Sequence, residues 1–141
     1  MIQRIQTLFL FLAAAISCSG IFFDWAKIDS AAQQLVSQSN AWVATIFAVA
    51  VPVLTLVAIF LFKNRKLQLI FCNAAIVATV CFYASLGFYI YRAMTQSATS
   101  IGNVFVAVPA FFPLVSLIFI VLAKKFIKKD EKKVHAWERI R

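Results

Sequence analysis

The side chains that most often carry catalysis are few in this sequence and lie far apart. It has three cysteines, Cys18, Cys72 and Cys81, and one histidine, His135. No Cys-x-x-Cys pair occurs, although redox exchange or a metal site needs neighbouring thiols. His135 stands among lysines, which is typical of a solvated histidine. We therefore expect buried apolar thiols, no metal and no cofactor.

Acidic residues are missing from the long apolar runs of the chain, and all five lie outside them. Proton-coupled carriers and many cation pathways need a carboxylate inside the membrane, so their absence argues against a small multidrug carrier. The sequence also lacks a nucleophile elbow, a phosphate-binding loop and a zinc signature. We therefore expect a protein that is not an enzyme.

The composition indicates that lipid surrounds most of the chain. Of 141 residues, 63% are hydrophobic and 13% are charged, whereas soluble domains carry about a quarter charged residues. Four apolar runs approach or exceed the length of about 20 residues that a helix needs to cross the bilayer. They cover residues 5–23, 41–62, 67–91 and 101–123. The expected fold is an all-α membrane protein with four transmembrane helices in an antiparallel bundle.

The distribution of lysine and arginine predicts the orientation of these spans. Of the 14 such residues, 12 lie at Arg4, in the link 63–66 or after residue 123, and only Lys27 and Arg92 lie on the other side. Positive residues stay inside, so both termini are expected in the cytoplasm. The net charge of +9 is thus a topology signal and does not indicate nucleic acid. The short link also predicts that spans two and three form a hairpin.

The N-terminal segment has a second interpretation. Arg4, the apolar run from Leu8 and the sequence Ala15-Ile-Ser-Cys18 resemble a targeting signal with a lipoprotein cleavage box. Lipidation of Cys18 would then remove the first span. The apolar run continues to Phe23, however, and Ala15 stands where leucine is usual. We favour an ordinary first span.

The connection between spans one and two, residues 24–40, is long enough for a short surface helix. Asp29 or Ser30 would cap such a helix. Trp25 and Trp42 flank the connection and match the aromatic belt of a membrane surface.

Polar residues and prolines inside the spans lead to two further expectations. Most hydroxyls can donate to a carbonyl of their own helix, whereas Asn73 is expected to join helices. Pro109 and Pro113 are expected to bend span four. A hinge or cavity there is the functional interpretation, and a static kink is the simpler one, which we favour.

The tail 124–141 is predicted to form a basic amphipathic cytoplasmic helix, separate from the transmembrane domain 1–123. Its apolar side would carry Phe126, Ile127, Val134, Trp137 and Ile140. The helix either lies along the anionic inner leaflet or continues span four and offers this side to a protein. A stop signal with no other role is a third possibility. The candidate partner or lipid contacts are Arg4, Lys124, Lys125, Lys128, Asp130, Glu131, Lys132, Trp137, Arg139 and Arg141.

Both ends of the chain carry patterns that resemble a known family. The opening Met1-Ile-Gln-Arg-Ile-Gln-Thr-Leu8 and the tail segments Ile127-Lys-Lys-Asp-Glu131 and Trp137-Glu-Arg-Ile-Arg141 are similar to those of small four-span inner-membrane proteins of Bacteroidota. That family has no known function. The resemblance implies a bacterial inner-membrane location and transfers no catalytic residue.

The function expected from the sequence is that of a non-enzymatic accessory or structural subunit of an inner-membrane assembly. It would contact a membrane-protein partner or anionic lipid through the tail helix. The alternative is a small channel or carrier for a neutral or apolar solute, with Pro109 and Pro113 shaping a cavity.

Overall fold

A computed structural model of the chain describes residues 2–28, 34–36, 41–62, 64–97 and 104–138, with side chains for 6–27, 41–62, 64–95 and 105–129. The helices within these ranges are α1 (Ile2–Ser19), α2 (Trp42–Phe60), α3 (Arg65–Ser97) and α4 (Phe112–Glu138). Short 3₁₀ turns, Gly20–Phe22 and Val108–Phe111, follow α1 and precede α4. The strands are β1 (Ala26–Ile28), β2 (Gln34–Val36) and β3 (Val104–Val106).

Three helical segments in the described ranges are long and apolar enough to cross a membrane: Trp42–Phe60, Arg65–Thr95 and Val108–Lys129. The apolar part of α1, Gln6–Phe22, is shorter. A helix satisfies its backbone hydrogen bonds internally, which a segment in hydrocarbon requires. The expectation of a mainly helical chain with membrane-spanning segments is therefore confirmed.

Helices α2 and α3 form the helical hairpin that the short link predicts. They pack along each other, while α1 packs against α4 and α2. In the turn, the Asn64 N–H donates to the Leu61 carbonyl and the Gln68 N–H donates to the Asn64 carbonyl, each at 3.0 Å. These bonds satisfy backbone groups that a helix end leaves open.

Buried side chains form two clusters along the bundle. The first combines the middle of α1, the second half of α2, the first half of α3 and the middle of α4, with Leu10, Val51, Cys72, Ile120 and Ile127 as its larger members. The second surrounds Trp25 and Phe82 at the other end. Alanines complete both clusters, and such small residues allow helices to approach closely.

The connection after α1 contains strands where a surface helix was expected. Strand β1 is central and pairs antiparallel with β2 and β3, so that Ala26 lies opposite both Val36 and Val106. The Ala107 N–H extends the pairing by donating to the Trp25 carbonyl at 2.9 Å. The expected helix is wrong for 26–28 and 34–36, because backbone groups of β1 bond to a segment distant in sequence. Its proposed caps, Asp29 and Ser30, lie outside the described residues.

Trp25 lies inside the protein, and its expected place in an aromatic belt is wrong. Its side chain is 1% exposed. The indole Nε1–H donates to the Gly20 carbonyl at 3.0 Å, and the ring meets Phe82 edge to face with 5.2 Å between centroids. Trp42, by contrast, is 65% exposed, as a belt residue would be.

Span four begins later than expected, and its prolines lie at its start. Pro109 belongs to the 3₁₀ turn and Pro113 to the first turn of α4. The first turn of a helix tolerates proline because its N–H groups have no intrahelical partner there. The Phe112 N–H donates to the Pro109 carbonyl, which therefore does not remain free. Both prolines therefore lie near the start of the candidate span Val108–Lys129, and a kink there stays a prediction.

We expect Trp25→Ala to destabilise the fold by about 3–5 kcal/mol, because it leaves a large cavity and removes a hydrogen bond. The free energy of unfolding can be measured by SDS titration of the detergent-solubilised protein. Trp42→Ala is the matched control and should change it by less than about 1 kcal/mol. Equal losses for both variants would contradict the packing of Trp25.

Candidate interaction surface at the basic end

Hydroxyl groups inside the helices bond to their own backbone. Thr79 Oγ1 donates to the Ala75 carbonyl at 2.9 Å, and Ser116 Oγ donates to the Pro113 carbonyl at 2.8 Å. The same pattern holds for Ser17, Thr45, Thr55 and Ser85. The expectation of local bonding is confirmed. These hydroxyls already have a protein acceptor, so they are poor candidates for a polar solute path.

Asn73 is exposed on α3 and does not join helices within the described part of this chain. Its neighbour Cys72 points into the first cluster. A helix rotates by about 100° per residue, so the two side chains diverge. The Asn73 carboxamide forms no hydrogen bond with any side chain or backbone group that the structure describes.

The three cysteines are free thiols in different environments. Cys72 is buried, Cys81 is partly buried and Cys18 is exposed. The expectation of a buried thiol is therefore wrong for Cys18, which lies on the outer face of α1. Within the described ranges, no group of three or more histidine, cysteine or acidic side chains could hold a metal ion.

Helix α4 continues without a break across the boundary expected at residues 123 and 124. It spans 27 residues, from Phe112 to Glu138, and is therefore about 40 Å long. This exceeds the hydrocarbon thickness of about 30 Å. Its continuity favours the interpretation in which the tail extends span four. That the basic segment acts as a cytoplasmic unit of its own stays a prediction.

The first turn after residue 123 packs against α1. Ile127 is fully buried in the first cluster together with Leu10. Phe126 stacks on Phe9 with 5.6 Å between ring centroids and an angle of 7°, and Phe9 also stacks on Phe119. The beginning of the apolar side of the tail is therefore covered by the chain itself. A partner that binds this turn of α4 must therefore contact its opposite side.

That other side is basic. Lys125, Lys128 and Lys129 are exposed, and we refer to these three residues as the basic surface. Lys124 is partly buried and lies within electrostatic range of the Cys72 thiol on α3. Three exposed ammonium groups within five residues create a local positive potential that attracts anionic groups.

The structure brings together only part of the expected contact set. It describes Lys124, Lys125 and Lys128 next to each other on α4. The described side chains do not include those of Arg4, Asp130, Glu131, Lys132 and Trp137. Arg139 and Arg141 lie outside the described residues altogether. The sequence did not single out Phe9, because it is one apolar residue within an apolar run.

Comparison with known proteins gives a family match along nearly the whole chain. The model of the family described as "Domain of unknown function (DUF4293)" matches residues 2–140. No curated protein matches the chain. The expectation of a family without a known function is confirmed, whereas a Bacteroidota source and a four-span family remain predictions.

We expect Ile127→Ala to destabilise the bundle by about 2–5 kcal/mol, because the side chain is fully buried in the first cluster. Lys128→Ala changes the adjacent exposed position and should have little effect. SDS titration of both variants measures the difference. Equal stabilities would show that this turn of α4 is independent of the bundle.

Proposed function

We propose that this chain, which belongs to the DUF4293 family, is a non-enzymatic accessory subunit of a membrane protein assembly and contacts a partner protein through α4. We also propose that it resides in the bacterial inner membrane with four spans and both termini in the cytoplasm. The basic surface would face the cytoplasm, where anionic lipid headgroups lie next to the partner.

The packing of α1 supports four spans. Its apolar part, Gln6–Phe22, is about 25 Å long as a helix, and a modest mismatch of this kind is accommodated by local thinning of the bilayer. Leu10 and Ala13 lie in the same cluster as residues of the three longer helices. In the second cluster, Trp25, which follows α1, packs with Ala44 at the start of α2 and with Leu86 in the second half of α3, so neighbouring helices would alternate in direction.

The burial of Ile127 is the observation that carries the proposal. It fixes the start of the tail on the bundle, so the basic surface is held by a continuous helix. A surface that is already ordered loses less conformational entropy on binding than a flexible tail does. Its positive charge favours acidic partners over basic ones and increases the rate of encounter. A rigid basic helix next to the membrane suits a docking element.

The alternative of a small channel or carrier loses the feature on which it was based. It relied on a cavity shaped by Pro109 and Pro113, whereas Pro109 lies in the 3₁₀ turn before α4 and Pro113 in the first turn of α4. The hydroxyls of Thr55, Thr79 and Ser116 bond to the backbone of their own helices. Both observations favour an accessory subunit over a transport protein.

We expect replacement of Lys125, Lys128 and Lys129 by glutamine to reduce recovery of the partner several-fold, because each lysine near an anionic surface contributes about 1 kcal/mol. The measurement is affinity purification in a mild detergent at native expression level, followed by quantitative mass spectrometry. Trp137→Ala should also reduce recovery, since tryptophan often anchors interfaces.

Lys27→Gln is the control, because this exposed lysine lies at the other end of the bundle. Protease protection of the termini checks that each variant inserts in the same orientation. Unchanged recovery for both tail variants would remove α4 from the proposed interface. Unchanged recovery together with weaker binding to anionic vesicles would assign the basic surface to lipid instead.

A further inference from the structure

The face of α3 that points away from the bundle carries a regular row of exposed positions. We define the outer stripe of α3 as Ile70, Asn73, Val77, Val80, Ala84 and Gly87. Its members are alternately three and four residues apart, so the pattern repeats every seven residues, or two per heptad. This period keeps the row on one side of a helix that packs in the left-handed manner of coiled coils and most membrane bundles.

Asn73 is the polar member of this stripe. Its neighbours Ile70 and Val77 are 58% and 60% exposed, and its carboxamide has no partner in the described structure. It lies eight residues after Arg65, or about 12 Å further along the helix. Hydrocarbon at this depth supplies neither donor nor acceptor. An amide held there requires a hydrogen bond that no described residue of this chain supplies.

Gly87 supplies a second, independent observation. A Cβ built at this position would meet no atom within 4 Å, so the fold of this chain does not require glycine there. Glycine also weakens a helix relative to alanine. Together with Ala84, one turn earlier, it leaves a shallow surface on which another helix can approach closely.

The exposed faces of two other helices lack such features. Exposed residues of α2 between Val43 and Phe60 and of α4 between Leu114 and Leu122 are large and apolar. Lipid chains can cover such apolar surfaces without leaving a polar group unpaired. The combination of a single carboxamide, two small residues and a regular seven-residue repeat distinguishes α3.

We propose that the outer stripe of α3 binds the outer stripe of a second copy of this chain and forms a parallel, twofold-symmetric dimer. Two copies inserted in the same orientation place their α3 helices parallel. A twofold axis along the membrane normal then brings Asn73 to the same depth as Asn73 of the second copy. Each carboxamide has both donors and an acceptor, so the pair is self-complementary.

The chemistry of the stripe favours a second copy over an unrelated helix. A different partner would need a polar group at the depth of Asn73 and small residues at the depth of Gly87, whereas an identical chain carries both by symmetry. A single asparagine in an apolar heptad face also selects one register, because any slip leaves it without a partner. The proposal uses α3 alone and does not depend on the docking role of α4.

The test is energy transfer between donor-labelled and acceptor-labelled copies of the full chain, reconstituted in phosphatidylcholine vesicles at decreasing protein-to-lipid ratio. We expect wild-type transfer to fall with dilution along a monomer–dimer curve. Asn73→Ala should shift the midpoint roughly three- to tenfold towards higher protein content, the effect of one interhelical hydrogen bond in lipid. Gly87→Ile should shift it more, because the branched side chain separates the helices.

Two controls match these variants. Asn64→Ala removes an exposed carboxamide outside the stripe, and Ala15→Ile enlarges an exposed small residue on α1. Neither should move the midpoint. SDS titration in micelles should give wild-type stability for Gly87→Ile, because its Cβ has open space in the isolated chain. A wild-type chain that stays monomeric at high protein content would overturn the proposal, as would a dimer that both stripe variants leave unchanged.

Discussion

The structure depends first on the hydrogen-bonding needs of a chain whose helices are long and apolar enough to cross a membrane. Each donor and acceptor that water cannot reach must find its partner within the polypeptide. The long helices satisfy the backbone, and side chains such as Thr79 and Ser116 return their hydroxyls to the same helix. At the end of the bundle near Trp25, where the helices stop, the strands take over the same role. The fold therefore follows from one requirement, met by different means at different depths.

The helical part of this fold could be predicted from the sequence because its signals are local. A run such as that of α2 is apolar on every face, and the short link after it leaves only a hairpin. The strands could not be predicted in the same way. Each has three residues, too few for a periodic pattern, and β1 pairs with a segment on the far side of two helices. The burial of Trp25 follows from that pairing, so a residue with all the signs of an interfacial tryptophan lies in the core.

The sequence predicts which segment carries the candidate surface, but not which part of that segment is covered by the rest of the chain. Charge counting selected the segment after residue 123, and Lys125, Lys128 and Lys129 do lie exposed on α4. The helical wheel correctly grouped Phe126 with Ile127, but it did not indicate what covers them. That information lies in α1, where Phe9 is one apolar residue among many. The spacing of residues defines the face of a helix, whereas the neighbour of that face is a property of the whole fold. In the same way, the sequence placed Asn73 on α3 but did not indicate whether another helix of this chain covers it.

The central position of β1 has a consequence for biosynthesis. Ribosomes make β1 early and β3 only after α2 and α3, so this part of the sheet cannot close before most of the chain has entered the membrane. Trp25 likewise waits for Ala110, a member of its cluster, which comes from the last quarter of the sequence. Contacts between such distant segments form late and slowly compared with those inside a hairpin. The complete three-stranded sheet can therefore form only in a chain that has been synthesised past α3 as far as β3.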